Sequence, residues 1–306
     1  MMTRLLAMPV LIAAVAIAMG SGIDALVKGV APGAGLHHLL AWRFLFGGVI
    51  AFSVFRAKKR PRPSNAAIRF HTMRGLLQLF CAFTFFYALT QLRLAEATAL
   101  GFTAALLVAP VARIVIGEKI SLVAVGAALL GFGGVALAVW GSGGTGGSVE
   151  GTNRTLGLVS LFASTIGYAF VLVLLRLRAT REDATTIAMF TNVVPAIAML
   201  PVTVGLFGFP ALAALPLFAV LGMLGYSVWF LMTLAYARAP AQQLAPLEYT
   251  ALIWSAIFGL VFFDELPGWP LWAGAVIIIA SCMIVAFESH FRTRRATRMP
   301  ASDLPE

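Results

Sequence analysis

Glu248 is the residue whose position most needs explaining. It stands in P-A-Q-Q-L-A-P-L-E-Y-T-A-L-I-W-S-A-I-F-G-L-V-F-F-D-E-L-P, Pro240 to Pro267. This stretch is mostly apolar and long enough to cross a bilayer, which takes about 20 helical residues. A carboxylate at membrane depth is costly and marks a functional site by default. Pro246, two residues earlier, has no N–H to donate, so it loosens the helix and frees a backbone carbonyl beside the carboxylate. That combination suits a cationic or amine-bearing substrate, or a proton. The structural alternative is a salt bridge to a neighbouring helix. Gln243, Thr250 and Trp254 recur at helical steps on one face, and Tyr249 adjoins the carboxylate. Aromatic groups on such a face serve either packing or a ligand cage.

Other polar groups interrupt the apolar runs. Asp24 and Lys28 sit at i and i+4, share a helical face, and are expected to pair, either as a structural ion pair near one interface or as a gate. Arg43 falls about two turns into the next predicted helix, where it needs a partner or a water-filled space. Gln78 and Tyr87 on the third predicted helix and Tyr226 on the eighth complete the candidate substrate-binding set. Arg113 is placed to snorkel to an interface. Cys81 and Cys282 lie within apolar runs and read as small buried side chains. Neither a His-Glu-x-x-His nor a Gly-x-Ser-x-Gly motif occurs, and His37, His38, His71 and His290 read as interfacial residues with no partner set. The sequence therefore predicts no enzyme, no metal site and no cofactor.

The elements that must position these groups are membrane helices. The chain has 306 residues, 60% of them hydrophobic and only 11% charged, with a mean hydropathy of +0.94. Soluble chains carry about a quarter charged residues. The apolar runs are continuous rather than alternating, which excludes a barrel and leaves helices. Ten are expected: about Pro9 to Val30, Leu36 to Phe55, Phe70 to Gln91, Leu94 to Ile116, Ile120 to Trp140, Leu156 to Leu177, Thr185 to Phe207, Ala211 to Ala237, Ala241 to Phe263 and Leu271 to Phe287. The G-S-G-G-T-G-G-S run after the fifth is a flexible linker, with no Gly-Lys-Ser/Thr to make it a phosphate loop. Met1 to Ala25 imitates a secretory signal but is expected to remain as the first helix, since it has a counterpart later in the chain. The net charge of +10 gathers in alternate loops and the tail, which places both termini in the cytoplasm and gives no reason to invoke nucleic acid.

An offset of 147 residues pairs Leu100 with Leu247, Phe102 with Tyr249, Thr103 with Thr250, Ala104 with Ala251 and Glu118 with Glu265. Five helices is an odd number, so a tandem copy inserts upside down, the plan of many secondary transporters. The expected architecture is all-α and polytopic, with ten transmembrane helices as two inverted five-helix repeats. Residues 1–143 form the first repeat, 144–154 a linker, 155–290 the second repeat and 291–306 a basic cytoplasmic tail. The fourth and ninth helices are expected to face each other across a substrate cavity.

L-R-L-A-E-A-T-A-L…G-E-K-I and A-R-A-P-A-Q-Q-L-A-P-L-E-Y-T…D-E-L-P, each closing a repeat's fourth helix, resemble the drug/metabolite transporter superfamily of the EamA type. M-R-G-L-L at Met73 to Leu77, S-G-I-D-A-L-V-K at Ser21 to Lys28 and R-F at Arg43 look like the bacterial S-adenosylmethionine uptake branch, with a further likeness to RhaT-like and riboflavin-type carriers. The resemblance implies a multi-pass protein of a bacterial inner membrane that moves a small polar metabolite by alternating access. Its partners would be a small-molecule substrate, the lipid bilayer and a coupled proton, as a monomer or a homodimer. The rivals are an exporter of amino acids or toxic cations and, from another class, a membrane-embedded scaffold or lipid-translocating subunit.

Overall fold

The computed structural model describes residues 9–59, 62–117, 122–145, 153–179, 182–236, 247 and 249–298. Gln243, Pro246, Glu248 and Glu118 lie outside the described residues. The helices are α1 Pro9–Ala34, α2 Leu36–Ala57, α3 Asn65–Gln91, α4 Leu94–Gly101, α5 Thr103–Ile116 and α6 Leu122–Thr145. They continue with α7 Arg154–Ala179, α8 Ala184–Phe207, α9 Leu215–Tyr236, α10 Ala251–Phe263 and α11 Trp269–Arg298, and a 3-10 turn at Leu212–Ala214 precedes α9. No strand occurs among the described residues. Among the described residues, seven spans are long and apolar enough to cross a membrane, and three further apolar helical stretches, Val125–Ala138, Ala251–Phe263 and Trp269–Ser281, are shorter.

Local chemistry sets the helix ends. The α1–α2 turn is a single residue, Gly35, at φ 78°, a backbone that a side chain would strain. Its N–H bonds the Ala31 carbonyl at 3.0 Å. The third helix begins earlier than the apolar pattern predicts, because the Ser64 hydroxyl accepts from the Ala67 N–H at 3.2 Å and caps it. Asp183 caps α8 in the same way, accepting from the Thr185 N–H at 2.9 Å.

The expected fourth helix divides for one residue at Phe102. The Phe102 N–H returns to the Ala99 carbonyl at 3.3 Å, and the Thr103 hydroxyl bonds the Leu100 carbonyl at 2.7 Å. A tight turn also precedes α10, where both the N–H and the hydroxyl of Thr250 reach the Leu247 carbonyl, at 2.9 and 2.6 Å. Every residue from Leu94 to Leu100 is buried. A helix buried on every side lies inside the bundle, and the polar groups of α4, Glu96 and Thr98, are met there by Arg154 and Ser255.

Helices pack in matched pairs. Helix α2 lies along α8 and α6 along α11; α3 packs on α7 as α9 packs on α1; α3 meets α8 as α9 meets α2; α5 meets α7 as α10 meets α1; and α10 meets α4. The outward faces carry large apolar groups such as Phe52, Leu129, Ile197, Ile253 and Phe262, the surface that lipid covers.

Close approach depends on glycine. A Cβ on Gly222 would lie 2.7 Å from the Arg43 carbonyl oxygen and 2.9 Å from the Gly47 nitrogen, so α9 and α2 touch backbone to backbone. A Cβ on Gly274 would lie 2.5 Å from the Gly134 carbonyl oxygen, where α11 crosses α6. Gly222→Ala and Gly274→Ala are each expected to cost about 1–3 kcal/mol through overpacking, read as a lower melting temperature in detergent. Gly133→Ala, with no atom within 4 Å of its Cβ, leaves the melt unchanged.

Candidate functional site

The charged residues divide between two ends of the bundle and its interior. At the end where α1 finishes and α2 begins, α10 closes with Asp264 in a left-handed turn at φ 52°, a conformation aspartate tolerates better than most residues. The N–H groups of Asp264 and Glu265 both return to the Gly259 carbonyl. This turn aims Glu265 inward. Its Oε2 accepts from the Leu94 N–H at 2.7 Å, the exposed positive end of α4. Its Oε1 stands 2.7 Å from Lys28 Nζ, which also donates to the Leu92 carbonyl. Lys28 and Glu265 are 9% and 8% exposed, so this ion pair is largely removed from solvent. The expected pairing of Lys28 with Asp24 is replaced by this one. Shared face on one helix permits the first pairing, but the fold brings Glu265 closer. Beside it Glu96 Oε1 accepts from Arg154 at 2.7 Å, Arg93 donates to the Leu266 carbonyl at 3.3 Å, and the Asn153 N–H donates to Gln91 Oε1 at 2.7 Å.

The interior holds Asp24 and Arg43. Arg43 lies with its guanidinium carbon 4.9 Å from the Phe86 ring centre and 5.2 Å from that of Phe44, a cation held on two aromatic faces. Gly225 of α9 leaves it room, since a Cβ there would lie 3.3 Å from Nη2. Its Nη1 is buried without a hydrogen-bond partner. Arg43 acts electrostatically on Asp24, yet no ion pair within 4.0 Å joins them. Both side chains stay half-buried.

Phe102 and Tyr249 meet edge to face at 5.3 Å between ring centres, so the residues paired by the sequence offset touch in space. Nearby Thr98 Oγ1 and Ser255 Oγ share a hydrogen bond of 2.8 Å between α4 and α10. Tyr226 is half-buried and stacks near Phe230 with 6.2 Å between rings. Gln78 and Tyr87 are half-buried on α3. Trp254 is 36% exposed and lies near Phe258, with 6.1 Å between ring centres. Gln243 and Glu248 lie outside the described residues. A groove of about 270 Å³ between α10 and α11, lined by Tyr249, Ile253, Trp272 and Val276, is almost wholly apolar and holds none of the charged groups.

At the opposite end, a cluster escaped the sequence reading. His71 is 1% exposed, pairs with Glu182 and stacks on Phe190 at 5.1 Å. Arg74 donates to the Thr191 hydroxyl at 2.6 Å and to the Ile187 carbonyl at 3.3 Å. These contacts bind α3 to α8. Placing the helix start at Ser64 would have found them, because both residues then fall two to three turns inside a span.

Among known proteins, the profile of the EamA-like transporter family matches residues 6–140 and 155–287. The S-adenosylmethionine uptake transporter of Rickettsia prowazekii (strain Madrid E) is 25% identical over 248 residues, 80% of this chain and 81% of that protein. An uncharacterized transporter of Helicobacter pylori (strain J99) is 26% identical over 251 residues, covering 78% of this chain and 79% of its own length. The riboflavin transporter of Rhizobium johnstonii is 29% identical over 115 residues, 38% of each chain. A solved crystal structure superposes with a TM-score of 0.62 at 19% identity, over 91% of this chain and 96% of that one, and shares the fold.

Removing one member of a buried ion pair strands the other. Lys28→Met is expected to destabilise the protein by about 3–5 kcal/mol. Adding Glu265→Gln to Lys28→Met restores most of that loss, as followed by thermal unfolding in detergent.

Proposed function

Since the chain belongs to the EamA-like transporter family, we propose that it carries a small polar metabolite across a bacterial inner membrane by alternating access of two inverted five-helix halves, 1–143 and 155–290. The observation that carries this reading is the matched packing. The main contacts between the halves come in pairs, α3 on α7 with α9 on α1, α3 on α8 with α9 on α2, and α5 on α7 with α10 on α1, and the halves meet where Phe102 touches Tyr249. A duplicated fold of opposite orientation, with its site between the copies, is built to expose that site to one side and then the other. The two separate stretches matched by the family profile support the same division. Lys28 and Glu265 would form the gate at one end, closed here, in place of the Asp24–Lys28 gate suggested by sequence.

The substrate would lie between α1, α2, α3, α9 and the start of α10, near Asp24, Arg43, Gln78, Tyr87, Tyr226 and Tyr249. Gln243 and Glu248 would line its approach, and Glu248 would supply a carboxylate for an amine or a coupled proton. S-adenosylmethionine is the first compound to try, given the name of the Rickettsia relative.

Purified protein reconstituted in proteoliposomes is expected to show saturable uptake of labelled S-adenosylmethionine or a related metabolite, accelerated by unlabelled compound inside. Flux that neither saturates nor responds to internal substrate would refute a carrier. Glu248→Gln, inserted at normal levels, is expected to lower exchange at least about tenfold, the effect of losing one charged contact. Unchanged exchange would remove Glu248 from the site.

A further inference from the structure

We propose that Asp24 and Arg43 form a single receptor for a zwitterion, in which the Arg43 guanidinium takes the ligand's carboxylate and the Asp24 carboxylate takes its ammonium. This rests on the transporter reading and names its substrate class: molecules with an α-amino acid head group.

The argument begins with a contrast. Other enclosed charges in the described bundle each have at least one protein partner, even where a further nitrogen, as in Arg74, stays unpaired. Lys28 has Glu265 and the Leu92 carbonyl, and Glu265 also holds the Leu94 N–H. Glu96 has Arg154, His71 has Glu182, and Arg74 has Thr191 and the Ile187 carbonyl. Asp24 and Arg43 stand apart. Among the described residues neither side chain has a hydrogen bond or an ion pair, and Arg43 Nη1 is buried with no acceptor. A buried donor left unmade is expensive. Such a group calls for a reason, and a ligand that completes it is one.

Position excludes neglect as the reason. Asp24 lies ten residues before the end of α1, about 15 Å along the axis, and Arg43 seven residues into α2, about 10 Å from its start. The two are at similar depth on adjoining helices. They feel each other's charge, yet remain farther apart than an ion pair. Arginine and aspartate kept only to neutralise each other would close that gap. Here Phe44 and Phe86 hold the guanidinium from its faces, and Gly225 of α9 contributes no side chain where its nitrogens lie. The fork is thus fixed in place before any ligand arrives, which lowers the ordering cost of binding.

The two charges also determine what fits. A simple anion would satisfy Arg43 and leave Asp24 facing a second negative charge. A simple cation would do the reverse. A head group carrying both charges close together satisfies both residues and itself adds no net charge to a low-dielectric interior.

Two measurements on the full-length protein test this. The first needs no ligand. Charges held for a ligand are a stability burden, so Asp24→Asn/Arg43→Gln is expected to melt at or above the wild-type temperature in detergent. A melt several degrees lower would make the pair structural and overturn the proposal. The second measures binding by thermal shift and calorimetry with L-methionine and S-adenosylmethionine, alongside L-methionine methyl ester, which lacks the carboxylate, and N-acetyl-L-methionine, which lacks the ammonium. At least one zwitterion is expected to bind, at least about tenfold more tightly than either blocked form of methionine when methionine itself is bound. Arg43→Gln should weaken that zwitterion by a similar factor and Asp24→Asn likewise. Equal binding of an ester and its parent, unchanged zwitterion affinity in both variants, or no binding by either zwitterion would each overturn the site. Proteoliposomes that exchange some other metabolite would then preserve the carrier reading, whereas absence of any exchange would defeat that reading as well.

Discussion

The carboxylate of Glu265 holds the bundle's centre in place. It binds the first N–H of α4, meets the ammonium of Lys28, and is delivered by the left-handed turn at Asp264. Three distant parts of the chain thereby meet at one anion: the end of α1, the start of α4 and the end of α10. The helix dipole favours a negative group at that place, and the lysine balances a charge that would otherwise be stranded away from water. With its first turn pinned, the short buried α4 can present Phe102 to Tyr249 and Thr98 to Ser255. The arrangement of the interior follows from that attachment.

Much of this was legible in the residues. The composition and continuous apolar runs announced membrane helices, and the offset of 147 residues brought Phe102 opposite Tyr249 before any coordinates did. Partners were harder to read. Helical spacing shows that Asp24 and Lys28 share a face, but not which other helix that face meets, so the pairing of Lys28 with Glu265 is not visible from spacing. The cluster of His71, Arg74 and Glu182 was missed because the apolar pattern starts later than the helix. A serine cap, not hydrophobicity, decides where α3 begins. The one-residue break at Phe102 has no proline to announce it.

Backbone and chemistry follow different symmetries. The main helix contacts between the halves come in matched pairs, yet the offset that equates Phe102 with Tyr249 equates Asp24 with Val171, Lys28 with Leu175 and Arg43 with Phe190. Phe190 instead stacks on His71 at the opposite end. The first half therefore supplies Asp24, Lys28 and Arg43, and the second supplies the Glu265 that holds one of them.

The crossing of α6 and α11 has a mechanical meaning. Gly134 and Gly274 bring the two helices together with backbone against backbone, and the pair lies mostly against itself rather than against the charged interior. Side chains can swap rotamers to let neighbouring helices slide, but bare backbone in contact has no such slack. This crossing therefore has less room to slide than contacts made through side chains.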